Sequence, residues 1–510
     1  MLPLLLSVAM AIPWVCGERW YSDASYYQAI STQMARENTW WSPMQGALPY
    51  FNKPPLAFWM HGALVKCFGD ADWAAHLPEG VAFVAVCLLT GWLARRFHGA
   101  LVGVLAGCAM ALTNDWIVRV SNFKLDSLHT MWLLGALACW AGLMFPAREA
   151  AAQTRQARGR EWAWMLGAGA CIGAALMTKP LYAAGAGLIA LLWLWLAGQW
   201  SVRRAALVAA SVGVGVLIAA PWHVSMCMSY GERFLHAYIR QQTVERAMGE
   251  LHDRQPWYWY LQLIAGTIGA AIEPRKMWAV YGLAVAGMIV AAARRRRVGI
   301  PVRAGDALAV LWTVLWFVSL SLFGGKRNYY LLVLHPGTAW LAAVALGWML
   351  ARAGDAMGRE RVQGVLRVAA IAGLIAGVVL LARVPSQVAK GHRELSVPER
   401  NEYMAFIRSQ HAAGHEVYDC GLSYRIAALM YIQAGFWPRV PSERTGYTPA
   451  AVPAGGLMAY KSDMLEKGAF GTFVDPRDRL VFRSSPDGQY TVHERYAGAV
   501  PIIGPVPVAK

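Results

Sequence analysis

Apolar segments long enough to cross a lipid bilayer recur along most of this chain, and they constrain its fold more than any other feature. A membrane-spanning α-helix needs about 20 predominantly apolar residues. Only 15% of the 510 residues are charged, against about 25% in soluble domains. We predict eleven spans, at residues 1–17, 74–94, 99–114, 126–145, 162–178, 181–199, 205–222, 274–293, 306–323, 330–351 and 365–383. The chain is therefore expected to be a polytopic α-helical membrane protein. The first apolar run has no basic residues before it, unlike a cleavable signal peptide, so we expect it to be retained.

The basic residues predict the orientation of these spans. Net charge is +17, but the Lys and Arg residues lie mainly in short loops on every second connection, as at Arg95-Arg96, Arg203-Arg204 and Arg294 to Arg297. Such clusters mark cytoplasmic loops in membrane proteins and argue against nucleic acid as a partner. Loops 18–73 and 221–273, together with everything after residue 384, are then expected to lie outside.

The composition changes at residue 384 to that of a soluble domain. We predict helices at 399–410 and 424–434, and strands at 416–420, 457–460, 479–482 and 490–493. The expected domains are therefore a transmembrane domain over residues 1–383 and a small α/β domain over residues 384–510. The second domain has no recognisable catalytic motif, so we expect it to serve as a lid or docking module.

Loop 18–73 is expected to contain two helices that lie in the membrane interface. The first opens near Asp23 and carries Tyr27, Ile30 and Met34 on one stripe. Such an apolar stripe is typical of a helix at a membrane surface. The second is predicted over residues 53–68, with Pro54 in its first turn.

Ionisable side chains gather on the outer side of the predicted topology. Charges at this depth are costly and usually functional. We expect Lys326 and Arg327 to bind a phosphate at headgroup depth and Asp23 or Asp126 to position or deprotonate an acceptor. Aromatic rings would cover a sugar; the candidates are Trp20, Tyr26, Tyr27 and Trp40. This combination suits a sugar linked to a polyprenyl phosphate.

Structural explanations compete with this interpretation. Asp23 suits a helix N-cap, and Asp126 suits a cap paired with a neighbouring cation. Lys53 is long enough to extend to lipid headgroups, and Lys326 and Arg327 resemble topological anchors. A polyprenyl-linked sugar flippase is an alternative of another class, although transporters usually show paired halves with polar residues at mid-bilayer. Here no repeat is visible, and the ionisable residues lie at the outer interface.

The segment from Asp23 to Lys53-Pro54-Pro55 resembles the first periplasmic loop of bacterial GT-C glycosyltransferases related to protein mannosyltransferases, in particular the ArnT-like lipid A aminoarabinose transferases. Their pattern is an Asp-Glu pair opening a helix, then Tyr-Phe-Glu-Lys-Pro-Pro. Asp126 at the start of the fourth span, Thr178-Lys179 after the fifth and Lys326 to Tyr330 before the tenth also match. The resemblance covers about residues 1–350.

The resemblance implies an inverting transfer of a sugar from undecaprenyl phosphate to lipid A or a related envelope glycan, at the periplasmic face of the inner membrane. The sugar is expected to be an amino sugar such as glucosamine or 4-amino-4-deoxy-arabinose, and the enzyme a monomer. Asp23 would be the base or acceptor-positioning carboxylate, with Asp126 as its partner. The donor phosphate would be bound by Lys53, Lys179, Arg246 and Tyr329 or Tyr330. Alternatives within the class are a protein O-mannosyltransferase and an O-antigen or core glycosyltransferase.

Two positions depart from the family pattern. The Glu of the Asp-Glu pair is Ala24, so any role that needs the second carboxylate is absent. The acidic residue before Lys53 is Asn52, at a position that contributes to a metal site in some relatives. We therefore predict no bound metal and no required cofactor.

Overall fold

The chain divides into two compact units. The computed structural model describes residues 1–15, 23–69, 72–113, 125–145, 155–249, 254–265, 274–382, 398–419, 430–431, 435–438, 452–461, 479–483 and 490–494. The first unit comprises Met1–Cys16, Phe51–Ala57 and His76–Gln387. The second unit comprises Gly17–Tyr50, Phe58–Ala75 and Val388–Lys510.

Helices dominate the part of the chain that the structure describes. In chain order the α-helices are α1 Leu2–Val15, α2 Asp23–Glu37, α3 Leu56–Phe68, α4 Asp72–His98, α5 Ala100–Ala111, α6 Asp126–Met144, α7 Arg155–Leu176, α8 Pro180–Leu196, α9 Val202–Phe234, α10 Arg246–Met248, α11 Trp259–Ala265, α12 Pro274–Arg294, α13 Ile300–Leu322, α14 His335–Met357, α15 Arg359–Ala382 and α16 Pro398–Ala412. A π-helix, Leu235–Glu245, continues α9, and a 3₁₀-helix, Asn328–Leu334, precedes α14.

A helix overlaps each of the eleven segments predicted to span the membrane. Within the described residues, five helical stretches are long and apolar enough to cross a bilayer: His76–His98, Asp126–Met144, Val202–Met248, Ile300–Leu322 and Asn328–Ala356. Five further apolar helices are shorter. The architecture is that of a polytopic helical membrane protein, and the count of eleven spans remains a prediction.

Buried tryptophans join the helices of the first unit. The indole N–H of Trp140 donates to Ser211 Oγ at 2.9 Å, and that of Trp193 donates to the carbonyl of Ala304 at 2.7 Å. Helices in lipid gain little from apolar burial alone, so such hydrogen bonds and close packing hold them together. Gly173 of α7 shows the closeness, because a Cβ there would lie 2.8 Å from Ile218 of α9.

The second unit contains a four-stranded sheet in the order β3-β4-β6-β5, after a short hairpin of β1 Met44–Gln45 and β2 Leu48–Pro49. Strands β3 and β4 are parallel and the other pairs antiparallel. The sheet strands are β3 Val417–Asp419, β4 Leu457–Lys461, β5 Arg479–Arg483 and β6 Tyr490–Glu494. Helix α16 packs Tyr403 and Ile407 against them. The strands overlap those predicted at 416–420, 457–460, 479–482 and 490–493, and the separate α/β domain over residues 384–510 remains a prediction. Most of the predicted helix 424–434 lies outside the described residues.

Loop 18–73 differs from its prediction in two ways. Most of it belongs to the second unit rather than to the transmembrane unit. The stripe on α2 is buried within protein, with Ile30 and Met34 at 0% exposure, and not laid in a membrane interface. The Tyr27 ring packs against Phe58 with centroids 5.6 Å apart. Protein contacts therefore cover the apolar face that the sequence assigns to lipid.

Helix α3 begins at Leu56 and not at Lys53 as predicted. Two consecutive prolines explain the shift. A residue that precedes proline is held out of the α region, and both Lys53 and Pro54 precede one. The Lys53 side chain is thereby carried on an irregular segment ahead of the helix.

Candidate active site

A cleft lined by several charged and polar side chains, here called the polar cleft, lies within the first unit. Its volume is about 570 Å³, counting its open mouth. The side chains come from four separate parts of the chain. They include Asn52, Lys53, Lys179, Tyr238, Gln242, Thr243, Arg246 and Tyr330. The cleft therefore brings together Lys53, Lys179, Arg246 and Tyr330, four of the residues predicted to bind a donor phosphate.

Aromatic packing and one main-chain hydrogen bond position Lys53. The ring of Phe51 lies 5.0 Å from that of Tyr230 and 5.5 Å from that of Phe234, in edge-to-face contacts. At the other end of the segment, the Leu56 N–H donates to the carbonyl of Met177 at 3.2 Å. The irregular segment is thus anchored on both sides of Lys53.

Asp126 and Lys179 form an ion pair beside the cleft. Lys179 Nζ lies 2.6 Å from Asp126 Oδ1, and each side chain is 12% exposed. Lys179 has an extended backbone because it precedes Pro180, the first residue of α8. Its ammonium also lies 5.8 Å from the ring centroid of Tyr330, within cation–π range. The predicted second carboxylate is therefore paired with a cation that lines the cleft.

A π-helix supplies one wall of the cleft. Gly231 adopts φ 50° and ψ −125°, which interrupts α9 and leads into Leu235–Glu245. π-helical segments are rare and occur often at functional sites. Tyr238, Gln242 and Thr243 face the cleft from this element, and Arg246 follows it directly.

The π-helix is fixed by buried polar and aromatic contacts. The Tyr238 ring stacks on that of Phe234 with centroids 4.9 Å apart. The Tyr238 hydroxyl lies 2.8 Å from His223 Nε2, and His223 Nδ1 lies 2.8 Å from the carbonyl of Ala219. Because a carbonyl only accepts, Nδ1 carries the imidazole proton, and the Tyr238 hydroxyl donates to Nε2. Composition and periodicity give no signal for this element, and the only cleft residue predicted in its neighbourhood is Arg246, which follows it.

Two glycines allow the chain before the 3₁₀-helix to approach Arg246. The Gly324 N–H donates to the carbonyl of Ala247 at 2.7 Å. A Cβ on Gly324 would lie 2.2 Å from the carbonyl oxygen of Met248, and one on Gly325 would lie 2.5 Å from that of Arg246. Side chains at these two positions would push the Gly324–Gly325 segment away from residues 246–248 and displace Arg246.

Lys326 is not among the residues that line the cleft. Its ammonium donates to the carbonyls of Phe323 and Gln255, the latter at 3.2 Å. Burial, and then the charge of Arg254, lower the pKa of Lys326. Arg327 is exposed, and its carbonyl accepts a hydrogen bond from the Tyr260 hydroxyl at 3.1 Å. The phosphate role of Lys326 and Arg327 remains a prediction.

Tyr329 is half-buried and contacts Tyr330 edge to face, with ring centroids 5.0 Å apart. Of the two tyrosines predicted at the phosphate, Tyr330 lines the cleft. The pattern Asn-Tyr-Tyr does not distinguish them, because the choice depends on the 3₁₀ turn that begins at Asn328.

Tyr26, Tyr27 and Trp40, three of the four aromatic residues expected at the sugar, make contacts within the second unit. Tyr27 is buried, and the Tyr26 hydroxyl donates to Gln45 Oε1. Lys66 Nζ lies 5.7 Å from the ring centroid of Trp40. Trp20 and the side chain of Asp23 lie outside the described residues, although α2 begins at Asp23. The roles predicted for these five residues remain predictions.

The chemistry of the cleft suits an anionic ligand. Three cationic side chains, Lys53, Lys179 and Arg246, line one space together with tyrosine, threonine and amide groups. Guanidinium and ammonium groups make strong charge-assisted hydrogen bonds to phosphate. Within the described residues, no three His, Cys, Asp or Glu side chains come close enough to hold a metal ion.

Sequence comparisons match this chain to polyprenyl-phosphate sugar transferases. The family described as dolichyl-phosphate-mannose-protein mannosyltransferase matches residues 52–224. The chain is 25% identical over 365 residues to the undecaprenyl phosphate-alpha-4-amino-4-deoxy-L-arabinose arabinosyl transferase of Edwardsiella ictaluri (strain 93-146), covering 71% of this chain and 61% of the relative. The protein of that name from Erwinia tasmaniensis is 26% identical over 344 residues, covering 67% and 58%. The matches thus span about three fifths of the length of these relatives.

Structural comparison extends the similarity to nearly the whole chain. The crystal structure of ArnT from Cupriavidus metallidurans bound to undecaprenyl phosphate has a TM-score of 0.70 at 18% identity, covering 98% of this chain and 99% of ArnT. The archaeal oligosaccharyltransferase AglB from Archaeoglobus fulgidus has a TM-score of 0.54 at 13% identity, covering 98% and 74%. The fold is therefore the GT-C fold. The resemblance seen between Asp23 and Pro55 is confirmed as a similarity: the chain resembles ArnT in fold and the aminoarabinose transferases in sequence.

Proposed function

We propose that this protein is a glycosyltransferase that moves a sugar from undecaprenyl phosphate to lipid A or a related envelope glycan. The observation that carries the proposal is the cleft lined by Lys53, Lys179, Arg246 and Tyr330. A polyprenyl phosphate presents one compact anion at headgroup depth, and this cluster offers a matching set of donors. The similarity to the ArnT structure bound to undecaprenyl phosphate supports the same donor.

The reaction is an inverting substitution at the anomeric carbon. An oxygen of the acceptor attacks C1 from the face opposite the phosphate, while the bond from C1 to the phosphate oxygen breaks and the phosphate takes the electron pair. Lys53 and Arg246 stabilise the charge that grows on the leaving phosphate. Lys179, held by Asp126, supplies a third positive charge.

The sugar is proposed to be an amino sugar such as 4-amino-4-deoxy-arabinose or glucosamine, and the reaction to take place at the periplasmic face of the bacterial inner membrane. The names of the curated relatives support the aminoarabinose donor. The basic clusters on alternate connections support the orientation.

Purified protein incubated with radiolabelled polyprenyl-phosphate sugar and lipid A tests the proposal. We expect the label and the corresponding mass to appear on lipid A. Movement of the sugar-lipid between leaflets without any product would overturn the proposal in favour of a flippase. Mass spectrometry of lipid A from cells with and without the gene would identify the sugar.

Asp23→Asn distinguishes the two kinds of acceptor. A lipid A phosphate is largely anionic at pH 7, because the second pKa of a phosphate monoester is about 6. For that acceptor Asp23 need only orient groups, so the variant is expected to keep measurable activity at pH 7. A loss of about a thousandfold or more would indicate obligatory proton abstraction from a hydroxyl.

Protein O-mannosyl transfer is the second candidate. The match of residues 52–224 to the mannosyltransferase family favours it. In the same assay, a mannose-linked polyprenyl phosphate and an unfolded serine-rich polypeptide would replace the two substrates. Label on the polypeptide, and none on lipid A, would select this candidate.

A further inference from the structure

An apolar groove lies between α12 and α13, away from the candidate active site. Its volume is about 840 Å³, counting its open side. Alanines leave the space: Ala291 and Ala292 on α12, and Ala307 on α13. Arg303, Ala307, Val310 and Val314 are spaced by four, three and four residues, so one face of α13 forms the floor.

The end of α12 and the start of α13 each carry an arginine, and both lie at the same end of the groove. Arg295 directly follows α12, and Arg303 lies in the first turn of α13. Both line the groove. In the described part of the chain, no carboxylate pairs with either guanidinium. Two positive charges therefore stand at the end of an apolar channel.

The neighbouring acidic residue does not cancel these charges, because it is already paired. Asp306 accepts from Arg294 at 2.6 Å and 3.1 Å, and its Oδ1 lies 3.0 Å from His98 Nε2. The Trp340 indole N–H donates to His98 Nδ1 at 3.1 Å, which leaves the imidazole proton on Nε2 to bind Asp306. This network fixes the floor and satisfies the buried carboxylate.

The length of the groove matches one leaflet of a membrane. From Arg303 to Val314, α13 rises about 17 Å at 1.5 Å per residue. One leaflet contributes half of the hydrocarbon core, about 15 Å. Arg295 lies in the Arg294 to Arg297 cluster, and Arg303 lies in the same connection between predicted spans; the positive-inside rule assigns this connection to the cytoplasm.

We propose that this groove binds an anionic phospholipid of the cytoplasmic leaflet. One acyl chain lies on the apolar floor, and the headgroup phosphate is bound by Arg295 and Arg303. Basic pockets between membrane helices on this side are suited to anionic headgroups. The site is independent of the proposed transfer reaction, since its residues do not line the polar cleft.

Native mass spectrometry with matched lipids tests the proposal. Protein in detergent is titrated with phosphatidylglycerol or with phosphatidylcholine of the same acyl chains, and bound lipid is counted. The double variant Arg295→Gln/Arg303→Gln is expected to lower phosphatidylglycerol affinity about 30-fold, since each arginine near an anionic lipid contributes about fivefold. Phosphatidylcholine binding should change little.

The double variant Arg296→Gln/Arg297→Gln is the matched control. It removes two positive charges from the same connection, directly after Arg295, but neither residue lines the groove. An equal loss of phosphatidylglycerol affinity in both double variants would show that the lipid responds only to the overall positive charge of this region. That result would overturn the proposed site. Ala307→Trp fills the floor of the groove and should weaken the binding of both lipids. The unfolding temperature of each variant is compared with that of the wild type. Displacement of the lipid by millimolar glycerol 3-phosphate would show a site for free phosphate and also contradict the proposal.

Discussion

Arg246 and Arg240 allow the role of a single charge to be isolated. Arg246 lines the cleft, whereas Arg240 on the same segment is exposed and pairs with Glu245 at 3.0 Å. Arg246→Gln is expected to lower kcat/KM for the polyprenyl donor by about 100-fold, as for loss of one donor to a developing anion. Steady-state kinetics with purified protein measure the effect.

Arg240→Gln is the control, since the Arg240 side chain is 68% exposed, does not line the cleft, and its loss changes the net charge by the same amount. Its kcat/KM should stay within about threefold of the wild-type value. Equal losses in the two variants would indicate general electrostatic attraction of the donor rather than binding by Arg246.

The ion pair between Asp126 and Lys179 predicts a large coupling free energy for stability between two residues that are 53 positions apart. Lys179→Met leaves a carboxylate that is only 12% exposed without its cation. We expect a loss of about 3 kcal/mol in stability, because one partner of a largely buried pair is costly when left alone. Thermal unfolding in detergent is the measurement.

The double variant Asp126→Asn/Lys179→Met should recover most of that stability and remain inactive. Recovery separates the cost of an uncompensated charge from simple loss of packing. Additive losses in the double-mutant cycle would contradict the pairing.

At the scale of elements, Gly231 determines how α9 passes into the π-helix. Its φ of 50° and ψ of −125° are unfavourable for any residue with a Cβ. Since a Cβ there would meet nothing within 4 Å, Gly231→Ala tests the backbone alone. We expect a loss of about 2 kcal/mol, together with reduced turnover, because Tyr238 and Gln242 would move.

Gly213→Ala is the matched control, since it lies in the same helix and its Cβ also has open space. A helical glycine replaced by alanine should be neutral or stabilising by up to about 1 kcal/mol. Equal unfolding temperatures for both variants would show that the turn at Gly231 relaxes without strain.

The sequence was informative where local patterns decide the structure. Uninterrupted apolar runs require helices in lipid, so helices that overlap these runs could be predicted without tertiary information. The shape of the cleft wall could not be predicted from the sequence, because apolar spacing does not distinguish an α-helix from the π-helix that carries Tyr238. The family resemblance implied that Lys53, Lys179 and Arg246 bind one phosphate, but only the fold brings them into one space.

At the scale of the molecule, the first loop and the C-terminal segment form one unit. The Trp437 ring stacks on that of Tyr431 with centroids 5.4 Å apart and meets Tyr26 edge to face at 6.3 Å. Helix α2, which begins at Asp23, is therefore held by residues about 400 positions later. Such contacts are not visible in local composition, which is why loop 18–73 was assigned to the transmembrane domain.

This arrangement predicts that a substitution in the C-terminal segment affects turnover and not donor binding. Trp437→Ala should destabilise the second unit by about 2 kcal/mol, since a half-buried indole is lost. As the cleft is lined by first-unit residues, KM for the polyprenyl donor should stay unchanged. If Asp23 serves the acceptor, kcat should fall about tenfold.

Leu480→Ala, at a side chain 49% exposed on β5, is the control and should leave both constants unchanged. A rise in KM for the donor with constant kcat would contradict the prediction that Trp437→Ala affects turnover and not donor binding.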